Sequence, residues 1–132
     1  MLNSSAKPAP VAASDDNHEK GFFTRSEMKL VFNDEKKSLV LETPAGKKIS
    51  VDEDAGVIQL EDENGNKFTL NSDGVTIESC KDVIIKATGD VKVEGINIEI
   101  KASAQLKAEG SAGAELSSGA STTVKGSIVQ IN

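Results

Sequence analysis

Apolar residues in this chain recur at alternate positions in short runs, and each run stops at turn-forming residues. Met28-Lys29-Leu30-Val31-Phe32 ends at Asn33-Asp34, Leu39-Val40-Leu41 at Pro44-Ala45-Gly46, and Ile49-Ser50-Val51 in the acidic stretch 52–56. Residues 57–60 end at Asn64-Gly65, and Phe68-Thr69-Leu70 runs into Asp73-Gly74. A period of two puts alternate side chains on one face of a strand, and Asn-Gly or Asp-Gly between such runs marks a hairpin. Residues 23–73 are therefore expected to form an antiparallel β-meander. Residues 1–22 are expected to be a linker, extended or disordered. They hold Pro8, Pro10 and the polar run Ser14-Asp15-Asp16-Asn17-His18-Glu19-Lys20, with no apolar period.

From Gly74 onward the pattern becomes a repeat. Apolar pairs at i and i+2 fall at Val75/Ile77, Val83/Ile85 and Val91/Val93, in steps of eight. One residue is then skipped, and the pairs continue at Ile98/Ile100, Leu106/Ala108, Ala114/Leu116 and Thr122/Val124. A second skip gives Val129/Ile131. The junctions hold Gly74, Gly89-Asp90, Gly95, Gly110, Gly119 and Gly126, or polar residues such as Lys81-Asp82. A short period with turn residues at its corners predicts eight stacked strands over 74–132, and an all-β chain.

Such an octad offers only about two inward side chains, and they shrink along the chain. Residues 102–132 hold Leu106, Leu116, Val124, Ile128, Val129 and Ile131 as their only large aliphatics, among Ala, Ser and Gly. That is too little apolar surface to offset the ordering of one isolated copy. Ladder bonds also need neighbours on both sides of each strand. Three copies winding together would supply those neighbours and close a narrow core. The expected architecture is an intertwined triple-stranded β-helix, a homotrimeric β-prism, with Val75, Ile77, Val83, Ile85, Val91, Val93, Ile98, Ile100, Leu106, Ala114, Leu116 and Val124 in the trimer core.

Composition agrees. Aromatic residues are 3 % of the 132, with Trp and Tyr absent, so the large rings that dominate compact cores are missing. The net charge is −6, with nine Lys/Arg against fourteen Asp/Glu over residues 1–73 and six against seven over 74–132. Without a basic patch, neither nucleic acid nor an anionic membrane surface is expected as the main partner. No apolar run reaches the roughly 18 residues of a helical membrane span. Residues 1–13 lack the basic start and apolar stretch of a signal peptide. The lone Cys80 has no partner for an intrachain disulfide, in keeping with a reducing cytosol.

Three stretches carry a family likeness. They are Met1-Leu2-Asn3-Ser4-Ser5-Ala6-Lys7-Pro8-Ala9-Pro10 with Lys20-Gly21-Phe22-Phe23-Thr24-Arg25-Ser26; then Asn71-Ser72-Asp73-Gly74-Val75-Thr76-Ile77 through Asp90-Val91-Lys92-Val93-Glu94 to Ala102-Ser103-Ala104-Gln105-Leu106; and the closing Ser127-Ile128-Val129-Gln130-Ile131-Asn132. Together they resemble the C-terminal part of VgrG, the trimeric spike of type VI secretion systems and related contractile injection machines. The likeness implies a structural, non-enzymatic needle made in the bacterial cytoplasm and injected, in transient contact with a target membrane. It further implies a blunt tip, Ile128, Val129, Gln130, Ile131 and Asn132, that docks a PAAR-repeat protein or an effector. Inner-tube and baseplate proteins would be reached through N-terminal domains that this chain lacks, so a piece of a longer protein is expected. No fused effector is expected after Asn132. Some phage spikes hold iron through paired histidines, whereas the one histidine here is His18, so no metal or other cofactor is expected in the needle.

Other candidate sites read as structure. His18 has no partners for nucleophilic catalysis, and paired carboxylates in an apolar pocket cannot be identified. Asp52-Glu53-Asp54 and Glu61-Asp62-Glu63 lack the spacing of a calcium loop and are expected in solvated hairpin turns. Gly110-Ser111-Ala112-Gly113 lacks the Lys-Ser/Thr of a phosphate loop and falls at an expected β corner. Lys92/Glu94, Glu99/Lys101 and Lys107/Glu109 are expected on the wet exterior. The alternative, a trimeric surface fibre or adhesin stalk, shares the architecture but would need an export signal or a receptor-binding head. An acyltransferase on a left-handed β-helix would need a period of six and usually a catalytic histidine.

Overall fold

The computed structural model describes residues 19–132. The expected linker, apart from 19–22, lies outside them, as do His18 and the stretch 1–10. The chain is all-β, with no helix among the described residues. It divides into two units, Met1–Lys86 and Ala87–Asn132.

The first unit carries seven five-residue strands: β1 (Glu19–Phe23), β2 (Lys29–Asn33), β3 (Ser38–Glu42), β4 (Lys48–Asp52), β5 (Val57–Glu61), β6 (Lys67–Asn71) and β7 (Gly74–Glu78). They form one antiparallel sheet in chain order, each strand paired to the next. The five alternating runs became β2 to β6. The sheet is wider than the expected 23–73 at both ends. β1 starts inside the expected linker, where Phe22 pairs with Leu30 and Lys20 reaches Asp34 at 3.3 Å. β7, the first of the octad strands, pairs with β6, so Val75 opposes Leu70 and Ile77 opposes Phe68.

The sheet is a repeat of nineteen residues that the strand pattern alone did not reveal. Thr24, Thr43 and Asp62 occupy one position of it, Lys29, Lys48 and Lys67 another, and Asn33, Asp52 and Asn71 a third. Thr24, Thr43 and Asp62 each open the same kind of turn. Thr24 and Thr43 accept an N–H from Met28 and Lys47 on Oγ1, and Asp62 accepts the Asn66 N–H on Oδ1, all four residues ahead. In each turn the N–H of the first residue also donates to the carbonyl of the fifth. The fourth turn position has a positive φ, at Glu27 (67°), Gly46 (108°) and Gly65 (98°). Glycine meets that demand without the Cβ clash of the left-handed region.

The second unit has no paired strand. Its backbone bends at 88–89, 96, 103–104, 111–112, 119–120 and 127–128, with no strand or helix between. Bends at 80–81 precede these in the first unit. Counted from the first residue of each bend, the steps are of eight except for one of seven between 96 and 103, where the sequence skips its first residue. The second expected skip leaves no mark on the bends, since 127–128 follows 119–120 by eight. A Cβ on Gly110 would strike the carbonyl oxygen of Gly113, so that corner closes only around glycine.

Candidate interaction surface

Register decides what the sheet presents. Directly opposed residues share a face, as do residues two apart in one strand. One row therefore runs across all seven strands: Phe22, Leu30, Leu41, Ile49, Leu60, Phe68, Ile77. A second row on the same face reads Phe32, Leu39, Val51, Ile58, Leu70, Val75. Thirteen large apolar side chains thus share one face of a single-layer sheet. None is buried; Ile49 and Leu60, in the middle of the sheet, are each 43 % exposed. Leu41, Ile49, Leu60, Phe68 and Ile77 line an open depression of about 450 Å³ there.

The opposite face is mainly polar, with Phe23, Val31, Val40 and Val57 among its residues. Its outer row alternates in sign strand by strand: Lys29, Glu42, Lys48, Glu61, Lys67, Glu78. Lys48 Nζ lies 3.9 Å from Glu61 Oε1 within it. Beside it run Val31, Val40, Ser50, Gln59, Thr69 and Thr76. Opposite charges directly across a pair favour this register, and a slip by one strand position would carry the whole apolar set to the other face.

The turns are tied to one another by polar contacts. Lys47 of the β3–β4 turn donates to Glu63 of the β5–β6 turn at 3.0 Å. That bond, first among its causes, holds the Glu63 carboxyl below its ordinary range. Asp62 takes the Asn66 side-chain amide at 2.7 Å and the N–H groups of Asn66 and Asn64. These bonds to its ionised form, the Asn66 side chain leading, lower its pKa from 3.8 to about 2. The acidic runs thus build hairpin turns; Asp52 Oδ1 likewise accepts the Ala55 N–H. Cys80 is exposed, and its N–H donates to Asn66 Oδ1 at 2.9 Å, which fixes the chain just after β7 to the same turn.

The expected trimer-core residues fall into two sets. Val75 and Ile77 lie on β7, in the two apolar rows. Val83, Ile85, Val91, Val93, Ile98, Ile100, Leu106, Ala114, Leu116 and Val124 lie between the later bends, all exposed in the chain. Among the large ones, exposure runs from 53 % at Ile98 to 80 % at Leu116, close to the 82 % of the off-period Ile84. Glu99 pairs with Lys101 and Lys107 with Glu109 at 4.0 and 3.2 Å, so each alternate pair shares one side of its segment. Ile128, Val129, Gln130, Ile131 and Asn132 follow or include the last bend and are exposed. Residues 79–132 make no backbone–backbone hydrogen bond among the described residues. Reading the sequence missed the nineteen-residue repeat and the continuity of the apolar rows. The signal was there, in Lys29, Lys48 and Lys67 each followed four residues later by Asn or Asp. No protein-family model matches the chain, and no curated protein matches it.

Proposed function

We propose that this chain is the needle of a contractile injection machine of the type VI secretion kind, a homotrimer in which residues 74–132 of three copies wind into a triple-stranded β-helix. The observation that carries the reading is the state of residues 79–132 in one chain. They bend at intervals of seven or eight residues, make no backbone–backbone hydrogen bond among the described residues, and leave their large aliphatics exposed. Extended backbone has strong hydrogen-bonding groups at every residue, and neighbouring strands are what satisfies them in proteins. Three copies around an axis give each segment two neighbours and give the octad pairs an enclosed core. The spike role rests on the likeness of 71–77, 90–94 and 127–132 to VgrG. At about 4.8 Å per strand, eight octads make a needle roughly 40 Å long. Its duty is mechanical: a closed prism with short corners resists unfolding kinetically while it is driven through an envelope. The tip, Ile128, Val129, Gln130, Ile131 and Asn132, would end in bare β edges and an apolar patch, which a PAAR-type cap covers.

The test is genetic. Removing the chain in the organism that encodes it should abolish release of the inner-tube protein into the medium, with restoration by a plasmid-borne copy. Unchanged release would contradict the spike reading.

A further inference from the structure

We infer that Asn64-Gly65, in the β5–β6 turn, is a site of spontaneous covalent modification. Asn64 loses its side-chain amide through a cyclic imide formed with Gly65, which leaves aspartate or isoaspartate at position 64. Folding does not protect this pair, and its conversion undoes the contacts that tie the turn to the chain after β7.

Asparagine is a thermolabile residue, and its conversion needs the N–H of the next residue free to attack its side chain. Asn64-Gly65 is the one Asn-Gly pair in the chain. Glycine has no Cβ to screen that nitrogen, and both residues are exposed. The nineteen-residue repeat supplies an internal comparison. At the matching position of the other two turns, Glu27 donates its N–H to the Thr24 carbonyl and Gly46 donates to the Thr43 carbonyl, each at 3.0 Å. The Gly65 N–H has no hydrogen-bond partner among the described residues. Other asparagines are held more firmly. Asn66 uses both ends of its amide, donating to Asp62 Oδ2 at 2.7 Å and accepting the Cys80 N–H at 2.9 Å. Oδ1 of Asn33 and of Asn71 accepts the N–H of Lys36 and of Asp73, and Asn97 precedes the branched Ile98. The Asn64 amide is held by Nδ2 alone, 3.3 Å from Asp62 Oδ2.

The chemistry needs only water. Hydroxide takes the Gly65 amide proton, and the nitrogen attacks Asn64 Cγ. The new N–C bond closes a five-membered ring, the Cγ–Nδ2 bond breaks, and Nδ2 leaves as ammonia with a proton from water. Water then opens the ring at the side-chain carbonyl to give aspartate, or at the backbone carbonyl to give isoaspartate. No electrons are gained or lost. Either product puts a carboxylate where Nδ2 had donated to Asp62, and like charges at that range oppose one another. Isoaspartate also inserts a methylene into the main chain, inside the turn that Asp62 and Asn66 close. Asn66 anchors Cys80, so loosening the turn releases the chain after β7 with it.

The test incubates the full-length protein warm at neutral pH, with peptide mapping by mass spectrometry. Asn64 should convert at least tenfold faster than Asn33, Asn66, Asn71 or Asn97, with isoaspartate as well as aspartate among the products. Its rate in the folded chain should lie within threefold of that in urea, where the turn is gone. Asn64→Gln, which would need a larger ring, should keep its amide. In the converted fraction, separated by anion exchange, the Asn66 and Cys80 amides should exchange at least tenfold faster than in the parent. A folded rate below a third of the urea rate, or aspartate as the sole product, would overturn attack by a free Gly65 N–H. Conversion that leaves exchange at Asn66 and Cys80 unchanged would overturn the release of the turn.

Discussion

Replacing Val91 and Val93 together by aspartate should abolish assembly while leaving the seven-stranded sheet folded. In one chain these valines are 57 % and 72 % exposed, so carboxylates there cost the unassembled chain little. The penalty falls on association. Three copies lose six valines from the core, each worth about 1 kcal/mol for the surface that assembly would cover. Six carboxylates take their place, and an unpaired buried ion costs several kcal/mol even after relaxation. The combined effect exceeds about 10 kcal/mol per trimer, or more than 10⁷-fold in the association constant. Sedimentation velocity of the double variant should show a monomer at every accessible concentration, with the far-ultraviolet β signal of the sheet retained. Lys92→Ser with Glu94→Ser, on the other side of the same segment, should leave the assembly intact. A double aspartate variant that sediments like the parent would refute the octad core.

Other outcomes test separate parts of the account. Asp62 is depressed from 3.8 to about 2, so its stabilisation of the β5–β6 turn is complete above its unfolded value and is lost as pH falls from about 4 through 2. Exchange of the Asn64 and Asn66 amides, corrected for intrinsic rates, should rise over that window, and Asp62→Ala should remove the pH dependence; an unchanged profile would rule out this bonding. Deleting residues 38–56, one nineteen-residue repeat, should leave a folded sheet with two strands fewer, because Ser38 and Val57 occupy equivalent positions; loss of the β signal would count against the repeat. Deleting 128–132 should leave a stable trimer and weaken binding of a PAAR-type cap at least tenfold, and full-strength binding would place the tip elsewhere.

Much of the sheet was legible because its strands obey a local rule. In β2 to β6 short apolar runs stop at turn residues, Asn33-Asp34, Pro44-Ala45-Gly46, the acidic stretch 52–56, Asn64-Gly65 and Asp73-Gly74, so nearest neighbours in sequence specify both strand and stop. β1 was not legible: Glu19-Lys20-Gly21-Phe22-Phe23 has no alternation, and its strand state is fixed by its register with β2 and by the Lys20–Asp34 ion pair. The apolar rows were hidden for a related reason. Leu41 and Ile49 are visibly apolar in sequence, but that they join Phe22 and Ile77 in one line follows only from six registers taken together. The bends after β7 were legible in part, through the corner glycines and the seven-residue step before 103, whereas the second expected skip and any strand after β7 do not appear among the described residues.

The most direct test of the central claim is the solution mass of the full chain, measured by light scattering behind size exclusion. Trimeric assembly predicts three times 13.8 kDa, about 41 kDa, independent of loading concentration in the micromolar range. A folded particle of 13.8 kDa, with residues 79–132 protected from amide exchange, would contradict it, since those residues would then have found their partners within one chain.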